Sequence, residues 1–320
     1  MRQRCFSQLT AGSLPSLTKK ASDAASSRPL QALPSAPVLK AVSTMARFRV
    51  SGLLVQTRGD DELLGMLDHR DVLKKANRGM TSITVQDLMT EEFLVGLANK
   101  WQLDRCVRTM LDADQCLLPL IGMGGKVSGM LSLQDVCHAL LADVTDGVTP
   151  AEPATVSDVV HSAQEERPST DADERVARDV CHVPSDATVE EAVAHMVERC
   201  TTYAIIGEPR ADSVEALGVF TSSDLLRALA GKDGADAMMT PISASMRPAA
   251  DLVSVDAGCP IFDAFARMTQ ADASHLTIVK PLAANARATT EAEPNSTQTT
   301  CEVVGVLSRR ELLSFLLANA

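Results

Sequence analysis

The chain has 320 residues, 41 of them acidic and 30 basic, for a formal net charge of −11. That balance excludes a general binder of nucleic acid or of anionic membrane surface, both of which need a basic face. No apolar run of about 18 residues offers a membrane-spanning helix, and with one Trp, one Tyr and seven Phe any core has to be built from aliphatic side chains and Met.

Residues 1–29 carry Arg2, Arg4, Lys19, Lys20 and Arg28 against Asp23 and are rich in Ser, Thr and Ala. They read as an organelle transit peptide or a plain disordered tail. Beyond them one pattern recurs four times. It starts with a helical stripe ending in Met: Val38, Val42 and Met45; Leu103, Cys106, Val107 and Met110; Val189, Val193 and Met196; Ile261, Phe265 and Met268. These spacings line one face of a helix. Thr188 and Glu191 form a capping box, and Pro260 suits a first helical position. A short apolar stretch of strand type follows each stripe, such as Leu117–Ile121 or Tyr203–Ile206.

Each repeat then closes on one phrase, found at Gly65–Asp71, Gly129–Asp135, Gly218–Asp224 and Gly305–Glu311. Gly and two apolar residues end a buried strand. Ser, Thr or Asp follows, and three residues later an acid. That is a variant capping box, in which the first side chain accepts from free N–H groups at the helix start and the acid reaches back. The expected unit is strand, helix, strand, strand, helix, giving a mixed α/β (α+β) chain.

The units run over residues 30–78, 79–144, 174–232 and 233–320. Residues 145–173 read as a linker, and 280–302 as a mobile loop inside the fourth unit. Unit 1 is atypical, because Asp68 replaces the Ser or Thr and would repel a phosphate. His69 and Arg70 either form a solvated first turn or face a phosphate bound elsewhere. Trp101 is expected to pack at the start of its helix, and Glu208–Glu215 to form a polar hairpin loop.

The order of elements and the Gly-x-x-[Ser/Thr]-x-x-Asp phrase resemble the cystathionine β-synthase (CBS) domain family. The resemblance covers the chain from about residue 30. It implies that the units pair into two modules, that adenine nucleotides bind between strands, and that the protein regulates a partner and is not an enzyme. By resemblance, the nucleotide contacts are Ser132 with Asp135, Thr221 with Asp224 and Ser308 with Glu311, helped by Thr90 and Thr240. Thr240 is placed by reading Asp236–Thr240 as a second copy of Asp87–Thr90. AMP, ADP, ATP or S-adenosylmethionine are the ligands considered, and no cofactor is required. The alternatives are a ligand-free interaction scaffold, in which the phrases are only helix caps, or a γ-subunit-like component of an energy-sensing kinase. Against the latter, few basic residues stand at matching positions beyond Arg47, Arg49 and His275. The regulated partner is unknown, and homodimerisation is a further option.

No Ser-His-Asp or Cys-His arrangement, P-loop, dinucleotide fingerprint or metal motif is legible, so no catalytic or metal residues are assigned. The eight Cys are scattered without zinc spacing and read as reduced thiols. The expected location is a mitochondrion or chloroplast if the first segment is a transit peptide, and the cytoplasm otherwise.

Overall fold

The computed structural model describes residues 14–26, 28–58, 62–76, 80–145, 154–165, 180–210, 213–231, 234–280 and 301–318. Unit 1 comprises β1 (Gln31–Ala32), α1 (Val38–Phe48), β2 (Gly52–Gln56), β3 (Leu63–Asp68) and α2 (His69–Lys75). Unit 2 repeats it with β4 (Gly96–Leu97), α3 (Leu103–Asp112), β5 (Leu117–Ile121), β6 (Val127–Ser132) and α4 (Leu133–Thr145). Helix α5 (Val156–Glu165) leads to unit 3: β7 (His182–Val183), α6 (Val189–Glu198), β8 (Tyr203–Pro209), β9 (Val214–Thr221) and α7 (Ser222–Gly231). After β10 (Arg247–Pro248), unit 4 has β11 (Ser254–Val255), α8 (Ile261–Gln270), β12 (His275–Val279), β13 (Cys301–Ser308) and α9 (Arg309–Ala318). This is the predicted order in all four copies.

In every unit the short first strand lies parallel to the second, and the second antiparallel to the third. The register slips at one equivalent place in each: Val55/Gln56, Leu120/Ile121, Ile206/Gly207 and Ile278/Val279. In each case the residue before the slip faces the Gly of the closing phrase.

The Met that ends each stripe has a structural reason. Met45, Met110, Met196 and Met268 are at most 1% exposed. Four residues on, the chain turns left-handed at Arg49, Asp114, Cys200 and Asp272, with φ between 52° and 54°. The next N–H returns to the Met carbonyl at 2.8–3.1 Å. This is a Schellman closure, with the Met buried at its base.

The units pair as the sequence predicts, two to a module. Leu54 and Met66 of unit 1 meet Leu117 and Met130 of unit 2 between their three-stranded sheets. Ile205, Val214 and Val219 meet Val303 between units 3 and 4. There β9 also bonds to β13, so the two sheets merge into one of seven strands. The modules then meet through helices. Units 1 and 3 share one apolar core and units 2 and 4 another.

The segment leading into each unit docks on its module partner. Thr84 bridges to Pro37 and Thr90 to Met66, so residues 80–90, read as part of unit 2, pack on unit 1. Lys20 bridges to Gln102 and Ser26 to Met130 on unit 2, while Pro241 bridges to Thr188 and β10 pairs with β9 on unit 3. The phrase Gly makes room for this exchange. A Cβ on Gly65 would stand 2.9 Å from the Thr90 carbonyl oxygen, and one on Gly218 2.3 Å from that of Arg247.

Two expectations need correction. The tail assigned to residues 1–29 is in part core: Leu14, Leu17 and Ala21 are buried against unit 2, and Ser16 donates its N–H and Oγ–H to Asp143 at 2.7 and 2.8 Å. Only residues 1–13 and 27 of that tail lie outside the described residues. The linker assigned to 145–173, whose Val156–His161 reads as at most one helical turn, contains the longer α5, with Val156 and Val159 buried against unit 4 and Val156 N donating to the Cys259 carbonyl at 3.0 Å. Composition misled in both places, because short docked segments need only a few apolar anchors. The loop assigned to 280–302 lies outside the described residues except at Lys280, Cys301 and Glu302.

Leu17→Ala is therefore expected to lower stability by about 2–5 kcal/mol, the cost of truncating a core Leu. Urea denaturation measures it; a change within about 0.5 kcal/mol returns the segment to a tail.

Candidate ligand site

The closing phrase forms the predicted cap in each unit. In unit 2, Asp135 Oδ2 accepts from Ser132 N at 2.7 Å and Ser132 Oγ at 2.6 Å. In unit 3, Asp224 Oδ2 accepts from Thr221 N and Oγ1 at 2.7 and 2.6 Å, and in unit 4 Glu311 Oε2 accepts from Ser308 N and Oγ at 2.7 and 2.8 Å. In unit 1 Asp68 takes the hydroxyl's role: its Oδ1 accepts from Arg70 N and Asp71 N, and its own N donates to Asp71 Oδ2.

The first N–H of each second helix donates to the turn that closes the first helix. His69 bonds to Ser51, Leu133 to Cys116, Ser222 to Thr202 and Arg309 to Ser274, at 2.9–3.2 Å. Each helix start is thus held beside a left-handed turn, and the four junctions converge. Arg70 Nη1 of unit 1 lies 3.2 Å from Asp114 Oδ2 of unit 2, and Arg310 Nη1 of unit 4 lies 2.7 Å from Asp114 Oδ1. Gln134 of unit 2 donates to Asp272 of unit 4 at 2.5 Å, and Thr202 of unit 3 is 3.0 Å from His275 Nε2 of unit 4. The centre gathers His69, Arg70, Arg247, His275, Arg309 and Arg310. Burial, then the charges of His69, Arg309 and Arg247, push His275 down to about 3, so it is neutral at physiological pH. Burial likewise lowers His69.

The copies differ in what the second carboxylate oxygen does. In unit 1, Thr90 Oγ1 donates to Asp71 Oδ1 at 2.9 Å. In unit 3, Asp224 Oδ1 is ion-paired with Arg227 and lies 3.5 Å from Arg247 Nε, and the carboxyl is 1% exposed. In units 2 and 4 the second oxygens of Asp135 and Glu311 have no partner among the described residues. Asp135 also lines an open cleft of about 290 Å³, with Lys19, Asp23, Leu103 and His138.

Several expected contacts move accordingly. Thr90 meets the acid of unit 1, not that of unit 2. Thr240 Oγ1 donates to the Asp236 carbonyl at 2.9 Å. The position equivalent to Thr90 is Arg247, because Pro241 bridges to Thr188 as Thr84 does to Pro37. Thr221 and Asp224, the best match to the phrase, are the most enclosed pair. His69 and Arg70 are not a solvated turn: Arg70 is ion-paired to Asp68 and Asp114, and His69 Nδ1 is 3.2 Å from the Ser51 carbonyl. Sequence reasoning missed Arg247, Arg309 and Arg310. The legible signal for the last two was their place between Ser308 and Glu311, where His69 and Arg70 stand in unit 1. Trp101 packs as expected at the start of α3, with the Arg105 guanidinium 4.1 Å above its ring.

Four strand-to-helix junctions, paired sheet to sheet and then helix to helix, define a tandem-repeat protein built of two modules. Two copies of the repeat are CBS domains: residues 21–78 and 174–231, which include units 1 and 3, match the profile of that family. Unit 1 is matched although its phrase departs most from the pattern. Inosine-5'-monophosphate dehydrogenase of Streptococcus pyogenes is 29% identical over 104 residues, 32% of this chain, so the chain spans only 20% of that relative's length. An uncharacterized 17.7 kDa protein of Acidianus ambivalens is 25% identical over 125 residues, 39% of this chain and 75% of its own. Among solved structures, a Methanocaldococcus jannaschii protein described as a proposed archaeal homolog of γ-AMPK has a TM-score of 0.68 at 14% identity, covering 93% of this chain and 99% of its own. An uncharacterized conserved protein of Pyrococcus horikoshii scores 0.53 at 12% identity, covering 93% and 100%. Both share the fold over nearly the whole chain.

Asp224→Ala is expected to cost about 3–5 kcal/mol, because it leaves the buried Thr221 N–H and hydroxyl without an acceptor and removes the anion that faces Arg227 and Arg247. Asp135→Ala should cost only a cap, about 0.5–2 kcal/mol. Chemical denaturation of both variants checks the order; equal losses would sink the distinction.

Burial and the neighbouring Asp68 charge raise the Asp71 carboxyl to about 6. The folded chain then keeps a proton there that the unfolded chain releases near 4, so stability should fall as pH rises from about 4 to about 6. Asp71→Asn should flatten that slope in denaturation midpoints measured across the window.

Proposed function

We propose that the protein is a non-catalytic regulatory module that binds adenosine-containing ligands and modulates a partner. The observation that carries this is the open second oxygen of Asp135 and Glu311. It stands at helix starts whose free N–H groups and positive dipole end suit phosphate. A carboxylate there can accept two ribose hydroxyls, and Arg309 and Arg310 flank Glu311 with fixed positive charge. Units 1 and 3, whose second oxygens are already bonded, are the weaker sites. Among the described residues no group of three or more His, Cys, Asp and Glu could hold a metal, and no helix is long and apolar enough to cross a membrane. AMP, ADP, ATP and S-adenosylmethionine remain the ligands to try, and the partner is open, a γ-subunit-like role with a kinase included.

A second reading is favoured by the caps themselves. Their hydrogen bonds explain the Ser, Thr and acid positions with no ligand, as in a pure interaction scaffold.

Titration calorimetry of the four compounds separates the two. Under the first reading at least one binds, and Asp135→Asn or Glu311→Gln weakens it about tenfold or more while Thr240→Ala does not. Absence of heat and of thermal shift with all four supports the scaffold.

A further inference from the structure

We propose that Asp114 is a built-in competitor for an oxyanion point between Arg70 and Arg310. One carboxylate reaches two guanidiniums from different modules, at 3.2 Å to Arg70 Nη1 and 2.7 Å to Arg310 Nη1. The exposures are lopsided: the Asp114 side chain is 74% exposed, the two Arg side chains 22% and 30%. The acid is therefore the mobile partner and the arginines the fixed ones.

The arginines are held by other bonds. Arg70 donates Nε and Nη2 to Asp68 Oδ2 at 3.2 Å, and Arg310 Nη2 donates to the Leu111 carbonyl. The Asp114 backbone is equally independent of its side chain. Asp114 N donates to Leu111 at 3.2 Å and Gln115 N to Met110 at 2.8 Å, closing the left-handed turn. The carboxylate can swing into solvent while the turn stays in place.

The fit of the carboxylate is also incomplete. Arg310 Nη1 is a buried donor with no aligned hydrogen-bond acceptor, although Asp114 Oδ1 lies at ion-pair distance. A tetrahedral oxyanion has more acceptor directions than a carboxylate and suits the two Nη1 groups that those bonds leave over. The ligand class is a phosphate group, free or carried by a larger molecule. Only its identity as a nucleotide phosphate rests on the function proposed above. Because the point lies between the modules, its occupant bridges them in place of Asp114.

The test uses inorganic phosphate as probe, titrated calorimetrically into the full chain at constant ionic strength, with chloride as control. Asn and Gly both tolerate the left-handed turn, so Asp114→Asn and Asp114→Gly are suitable variants. Removing a competitor that makes two partly exposed ion pairs should tighten phosphate binding about three- to tenfold over the unaltered protein. Adding Arg310→Gln to Asp114→Asn should remove that gain. Should Asp114→Asn fail to fold, Asp114→Gly gives the same readout. Equal phosphate affinity in the altered and unaltered chains, or no binding in either, overturns the proposal. AMP titrated in parallel judges the nucleotide reading separately: phosphate gain without AMP binding keeps this proposal and removes that one, and the reverse outcome does the opposite.

Discussion

One backbone hydrogen bond organises each unit: the first N–H of the second helix donates to the carbonyl two residues past the left-handed turn of the first. It joins two helix ends of opposite character. A helix that finishes leaves carbonyls without partners, and one that starts leaves N–H groups without partners. The Schellman closure satisfies the first set, the capping phrase satisfies most of the second, and this bond links them. The strand between them has little freedom left. Its Gly lies against the partner's lead-in segment in units 1 to 3, and its register slips at the same step in every copy. The geometry of the junction thus follows from satisfying backbone groups, before any ligand is considered.

That bond explains why the four copies could diverge where they did. The inner oxygen of each phrase acid is committed to the cap and cannot vary without loss of a helix start. The outer oxygen carries no such duty. Unit 1 gives it to Thr90, unit 3 encloses it with Arg227 and Arg247, and units 2 and 4 leave it open among the described residues. The residue at the equivalent lead-in position differs between copies: Thr90 for unit 1, Ser26 for unit 2 and Arg247 for unit 3. Thr90 and Arg247 each face the acid there, and among the described residues Ser26 makes no bond to Asp135.

Local physics was readable in the sequence, and long-range exchange was not. The Met-ended stripes and the caps rest on spacings of three to seven residues, the strands on short apolar runs, and all four copies were legible. The apolar exchange of lead-in segments has no such signature. Asp236–Thr240 looks like Asp87–Thr90 by composition, yet the docked equivalent of Thr90 is Arg247, seven residues further on. The match failed because bridging to Thr188 sets the register, and that partner lies about fifty residues away. Leu14 and Leu17 were hidden for a related reason: a basic, Ser-rich stretch needs few apolar residues to dock. The basic centre escaped because its members come from units 1 and 4 and only converge in the folded chain.

The position of that centre follows from where the apolar surface goes. The units bury their helices in two separate cores and their sheets between module partners, so the point where all four junctions meet is left to polar groups. Ionised groups there have to neutralise one another, since taking charge out of water costs several kcal/mol per ion. The chain does so with Asp68, Asp114 and Asp272 set among arginines, and by keeping His275 uncharged. Two of those acids, Asp114 and Asp272, stand on left-handed turns. A helix closure that places an Asp there puts a carboxylate at the centre without needing any further element to carry it. Backbone satisfaction and charge balance are met by the same residues, so changing the charge of the centre requires no change in the packing around it.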